Sequence, residues 1–163
     1  VNTFLLSQIL AGLAFAFGMA SFQFRPRKLV LISIFFCAIF NASHFWVLER
    51  YGAGTLIFVN ALRFLVAAFW PSQRWMWFFM GLSLVSFALT WVDWVSLLGL
   101  AATLIGTVGT FKHTDREVRV YLMWVSGFWV LHNLMVGTPV AMLMEACFLV
   151  SNYIGWRRFY GRQ

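Results

Sequence analysis

The sequence predicts an all-α polytopic membrane protein, with seven transmembrane helices arranged as two parallel three-helix repeats joined by a linker helix. Three observations lead there. Of 163 residues, 62% are hydrophobic and only 10% charged, whereas soluble domains are roughly half apolar and a quarter charged. The apolar residues fall into seven runs, each near the ~20 residues that span a bilayer as a helix. The chain also matches itself at an offset of 88 residues.

The first run covers residues 4–23 and reads as a retained helix, because it has neither a basic leader nor a small-residue cleavage site followed by a soluble domain. It stops at Phe24-Arg25-Pro26-Arg27-Lys28, where three cations and a proline without an amide proton end the span. The second, 29–48, ends at Glu49-Arg50-Tyr51-Gly52. The third, 53–71, ends at Pro71-Ser72-Gln73-Arg74, and the fourth, 75–92, ends at Asp93. The fifth, 94–111, leads into the polar segment Lys112 to Arg119. The sixth, 118–136, and seventh, 139–156, are parted by Gly137-Thr138-Pro139, and Pro139 suits a first helical turn, where its missing donor costs nothing. The organisation is therefore repeat one over 1–71, a linker span over 72–92, and repeat two over 93–163 with a short basic tail.

Lys and Arg are distributed unevenly across the two sides. Ten lie on one side: Arg25, Arg27, Lys28, Arg74, Lys112, Arg116, Arg119, Arg157, Arg158 and Arg162. Only Arg50 lies on the other, and Arg63 is inside a span. By the positive-inside rule the N-terminus is outside and the C-terminus cytoplasmic. Trp70, Trp75, Trp91, Trp94 and Trp156 fall near span ends, as an interfacial belt requires. A net charge of +7 is a feature of nucleic-acid binders, but these cations sit in short loops that meet anionic lipid, so no nucleic-acid partner is expected. Cys37 and Cys147 lie in apolar runs without metal-ligand spacing.

The offset of 88 pairs Ala14 with Ala102, Gly18 with Gly106, Val30 with Val118, Phe40 with Phe128 and His44 with His132. After a three-residue adjustment Gly52 meets Gly137, Ala61 meets Ala146, and Asn60 faces Glu145. A single linker span between two triplets gives both the same orientation, the parallel-repeat arrangement. Ala14-xxx-Gly18 and Ala102-xxx-Gly106 provide small faces for close helix contact.

This 3-1-3 plan resembles the SWEET and PQ-loop transporters. His44-Phe45, Gly52, Asn60-Ala61 with Arg63, then His132-Asn133, Gly137, Glu145, Phe148 and Asn152 look more closely like the bacterial inner membrane protein YgjV family. That resemblance spans nearly the whole chain and implies an inner-membrane location. The SWEET likeness implies substrate-binding asparagines on helices three and seven and aromatics on two and six. Asn60 keeps that pattern and Glu145 departs from it. The Pro-Gln pair of PQ-loop proteins is absent.

Four ionisable side chains fall inside spans: His44, Arg63, His132 and Glu145. Such groups are costly in hydrocarbon and are functional-site candidates by default. Helical spacing puts Asn41 with His44, Asn60 with Arg63, and Glu145 with Asn152 on shared faces. The expected substrate site is a cavity between the triplets lined by Asn41, His44, Asn60, Trp129, His132, Asn133 and Glu145, which suits a small polar solute. The competing structural reading makes Glu145 and Arg63 a packing ion pair, has the histidines donate to backbone carbonyls of neighbouring helices, and uses Asn41 and Asn152 as interhelical hydrogen bonds.

The function expected is therefore small-molecule transport by alternating access, either uniport or proton-coupled through Glu145. A non-transporting accessory or receptor-like role, and a cytochrome with His44 and His132 as axial haem ligands, are the alternatives. Retinal pigments are excluded, since Lys28 and Lys112, the only lysines, lie in loops. Soluble-enzyme motifs are missing. No enzyme activity, metal or cofactor is expected; the partners are the bilayer and the solute, with a homo-oligomer left open.

Overall fold

The computed structural model describes residues 2–89, 91 and 93–161; the side chains of Gly52 and Ala53 fall outside the described set, as does Arg162 of the cationic side. Seven helices and no strands form among the described residues: α1 (Thr3–Ser21), α2 (Arg27–Val47), α3 (Tyr51–Phe69), α4 (Gln73–Leu89), α5 (Ser96–Thr110), α6 (Asp115–Val136) and α7 (Pro139–Tyr160). They match the seven apolar runs in order. The 18-residue windows of α1 and α2 reach mean hydropathies of 1.7 and 1.9, enough to cross a membrane; Gly54–Phe69 and Ser96–Thr110 are apolar but shorter.

The ends form for local reasons. Asn2 accepts the Phe4 amide at 2.9 Å and starts α1. Pro26 precedes α2 and cannot extend a helix backward. Thr114 accepts the Glu117 amide at 3.2 Å while its hydroxyl donates to the Glu117 carboxylate at 2.7 Å. That reciprocal cap starts α6 and holds Glu117 below the usual carboxylate range. Gly137, at φ 77°, ends α6 in the left-handed conformation and returns its amide to Asn133 and Leu134, a geometry in which a Cβ is strained.

The chain divides into two compact units, Val1–Phe69 and Trp70–Gln163. In the first, α2 packs against both α1 and α3. Phe17 of α1 packs at a tilt against Phe36 and Phe40 of α2, with centroids at 5.6 and 5.4 Å. Gly54 lets α3 approach α2 closely: a Cβ there would lie 3.0 Å from the Ala42 carbonyl and overlap Trp46. Arg27 donates to the Ala67 carbonyl at 3.0 Å, and Lys28 lies 4.1 Å over Phe69. Two of the expected topology cations thus close the end of α3, where a helix leaves carbonyls unsatisfied.

In the second unit α6 packs against both α5 and α7, and α4 packs against α5. Helix α4 therefore groups with this unit. Phe79 of α4 meets Phe111 at 6.2 Å, and Gly109 of α5 lies against Tyr121 of α6.

Small side chains make up much of the interior of each unit, alongside larger ones such as Leu31 and Phe22 in the first and Phe79, Phe111 and Leu122 in the second. Ala14, Ala42, Ala61 and Ala67 in one, and Ala102, Gly106, Thr107 and Thr110 in the other, are buried. Val30 and Val118, paired by the offset of 88, are both fully buried. Large apolar side chains face outward, with Leu89 81% and Trp94 79% exposed. Dispersion between closely approaching backbones, more than burial of large side chains, holds such helices together.

Candidate functional site

The two histidines matched by the offset stand in different surroundings. His44 on α2 places Nδ1 2.8 Å from the carbonyl oxygen of Ser7 on α1. A carbonyl only accepts, so the imidazole donates and ties α2 to α1. At the same offset Ser7 corresponds to Val95, which precedes α5. The Val95 carbonyl closes a tight turn with the Leu98 amide at 3.0 Å. Helix α5 has not yet begun where α1 is already past its first turn. His132 Nδ1 is buried with no hydrogen-bond partner among the described residues.

His132 lies edge-on to Trp129, with centroids 5.1 Å apart. Gly99 of α5 opens room beside them: a Cβ there would stand 3.3 Å from the Trp129 ring and 4.0 Å from His132. Asp93, at the turn into α5, lies near enough to His132 for the two to interact electrostatically. The Ser96 amide and hydroxyl each donate to the Asp93 carboxylate at 3.0 Å and hold it below the usual carboxylate range, with a smaller contribution from His132.

On α7, Glu145 is half-buried and accepts from the hydroxyl of Ser126 on α6. Seven residues along each antiparallel helix, Asn152 donates to the Arg119 carbonyl at 2.8 Å. Glu145 with Ser126 and Asn152 with Arg119 are thus successive rungs joining α6 and α7, about 10 Å apart at 1.5 Å per residue. Asn152 fills the interhelical role expected of it.

The remaining predicted residues take other positions. Asn60 is exposed and donates to Leu56 of its own helix at 3.2 Å. Asn133 accepts the Thr138 hydroxyl at 3.2 Å and helps close the end of α6. Asn41 is half-buried one turn before His44. Arg63 is buried, with its guanidinium 4.8 Å over the Phe64 ring. Trp129, His132 and Glu145 belong to the second unit; Asn41, His44, Asn60 and Arg63 belong to the first.

Sequence reasoning missed a polar cluster at the start of α6. Arg119, counted as a loop cation, is fully buried and donates to Asp115 at 2.8 Å. Tyr160 donates to the same carboxylate oxygen at 2.8 Å, and Phe159 covers the guanidinium at 5.3 Å. The signal available was the Asp115/Arg119 spacing of four, which also describes a solvated helix face.

A family model of bacterial inner membrane proteins, Imp-YgjV, matches residues 5–163. The chain belongs to the Imp-YgjV family. It is 24% identical over 167 residues to the inner membrane protein YgjV of Escherichia coli strain K12, covering all of this chain and 89% of that one. No solved structure matches. The resemblance expected from the His44-Phe45 and His132-Asn133 segments is thereby borne out for this Imp-YgjV member.

The contrast between the histidines predicts different costs. His44→Phe preserves the ring but removes the donor to Ser7, an interhelical bond of about 0.6–2 kcal/mol in a membrane. The melting temperature of the purified protein should fall for His44→Phe and barely move for His132→Phe. The reverse order would remove the distinction drawn here.

Proposed function

We propose that this family member is a multi-pass transporter in which all seven helices cross the inner membrane, N-terminus outside and C-terminus cytoplasmic, and that it carries a small polar solute by alternating access. Its perimeter of exposed Leu, Phe and Trp around small interiors supports the multi-pass reading, since helices solvated by lipid pack through small residues. The observation that carries transport is the buried ring nitrogen of His132 on α6, which has no hydrogen-bond partner among the described residues. Trp129, His132 and Glu145 provide a carboxylate, an aromatic wall and a buried ring nitrogen with hydrogen-bonding capacity unspent. Ionisable groups within spans mark solute and ion pathways.

Purified protein screened against a metabolite panel tests the reading, because a ligand that binds only the native state raises the melting temperature. Hits should accumulate in proteoliposomes containing the protein and not in empty ones. A ligand that binds without ever being taken up would leave a receptor-like protein. Orientation is tested separately: Cys introduced at Gln23 or Thr114 should resist an impermeant thiol reagent in intact cells. Labelling at either position would invert the topology.

A further inference from the structure

Helix α7 carries one continuous exposed stripe. Leu143, Val150, Tyr153 and Ile154 are exposed, and their spacing puts them on a single helix face. The stripe ends in Arg157 and Arg158, also exposed, where Tyr153, Ile154, both arginines and Gly161 line a cleft of about 690 Å³. From Leu143 to Ile154 the helix rises roughly 16 Å, against about 15 Å for the hydrocarbon of one leaflet. Neither arginine has an ion pair among the described residues, where the salt bridges join Lys112 to Glu117 and Arg119 to Asp115. The Arg158 guanidinium lies 5.7 Å from the centroid of Phe159, the same ring that stands 5.3 Å from buried Arg119. Gly161 donates its amide to the Arg157 carbonyl at 2.9 Å. A Cβ there would stand 2.9 Å from Arg157 Cγ, so the glycine leaves room for the Arg157 stem at the helix end.

We infer that this stripe and cleft bind an anionic phospholipid of the leaflet at the C-terminal end of α7, with an acyl chain along Leu143 to Ile154 and the phosphate at Arg157 and Arg158. The inference rests on α7 crossing the membrane and is independent of transport. A helix C-terminus carries about half a negative charge, so two guanidiniums without carboxylates leave the cleft net positive. Guanidinium presents parallel N–H donors that match a phosphate. A zwitterionic headgroup brings its own ammonium group to the same place and loses much of the attraction. The apolar run selects a lipid over a free phosphate, because a soluble anion has nothing to lay on Leu143 to Ile154. Contact with Phe159 restricts Arg158 before a ligand arrives, which lowers the ordering cost of binding.

Native mass spectrometry of the full chain released from nanodiscs of mixed phosphatidylglycerol and phosphatidylcholine should show phosphatidylglycerol retained preferentially. Arg157→Gln/Arg158→Gln should weaken that preference by about thirtyfold, roughly five- to sixfold for each cation at a membrane surface. Each single exchange reads the same site if the double variant fails to fold. Arg25→Gln/Arg74→Gln removes equal charge from the same side of the sequence-predicted topology and should keep the preference. Equal loss in both double variants would reduce the effect to general surface charge and overturn the site, as would unchanged retention in the Arg157 and Arg158 variants. Displacement of the lipid by inorganic phosphate would make the cleft a soluble-anion site and overturn the lipid assignment. The membrane-spanning reading is tested separately in a Cys37→Ser background, which leaves exposed Cys147 between Leu143 and Val150. Protection of Cys147 from a charged maleimide in liposomes upholds α7 as a span, and rapid labelling defeats the span and the lipid with it. Loss of lipid preference with Cys147 still protected defeats the lipid site alone.

Discussion

Replacing Asp115 with alanine is expected to cost about 3–5 kcal/mol, the penalty of leaving one member of a buried ion pair without its partner. Arg119 is fully buried, its carboxylate partner lies 2.8 Å away, and the surrounding contacts come from Tyr160, Phe159 and the Asn152 bond to its carbonyl. A guanidinium so fully buried is poorly solvated once its carboxylate is gone. Tyr160→Phe removes a hydrogen bond to a charged group and should cost less, about 1.5–3 kcal/mol. The Asp115→Leu/Arg119→Met double variant should recover most of the loss, because an apolar pair of similar volume often equals or exceeds a buried ion pair in stability. Melting temperatures in one detergent decide the matter. If Asp115→Ala melts within a degree or two of the parent, the cluster is hydrated and its burial contributes little.

The second large effect is expected at Gly109. A Cβ at this position would overlap the Cβ of Tyr121, an atom that no side-chain rotation can move. Helices α5 and α6 must separate, and Gly109→Ala should lie at the upper end of the about 1–3 kcal/mol seen for overpacked cores. Gly12→Ala and Gly81→Ala meet no atom within 4 Å and sit inside helices α1 and α4. They should be neutral or stabilising by up to about 1 kcal/mol, the helix-propensity difference between the two residues. The same chemical change therefore has opposite signs at different sites. Similar melting temperatures for all three variants would show that α5 and α6 are not in close contact at Gly109.

The helix count was legible in the sequence because charges, prolines and glycines interrupt the apolar runs wherever the backbone must leave the helix. The offset of 88 also located positions that are buried alike, such as Ala14 and Ala102, or Val30 and Val118, since tight packing restricts both members of a pair to similar size. Side-chain partners were less accessible. The acceptor for His44 is a backbone carbonyl, which every residue possesses and no sequence pattern marks. The later start of α5 leaves the acceptor matched by the offset, the Val95 carbonyl, in a turn with the Leu98 amide, and that start depends on the turn at Asp93 rather than on hydropathy. Arg119 looked like a topology signal because charge composition reports which side of the membrane a cation occupies but not whether a tyrosine 41 residues later encloses its partner.

The small-residue seams inside each unit divide the chain into two alphabets for divergence. At perimeter positions such as Phe4 and Leu89 the neighbour is expected to be lipid, and exchanges among Leu, Ile, Val and Phe should be nearly silent. Ala14, Ala42, Ala61 and Ala102 are buried, so an Ala→Leu exchange there, mild by any hydrophobicity measure, should overpack the interior and drive helices apart. Relatives are then free to drift over most of their surface while holding a sparse register of Gly, Ala and Ser. Full-length kinship at 24% identity is what such a scheme permits, and the shared residues should be concentrated along the seams.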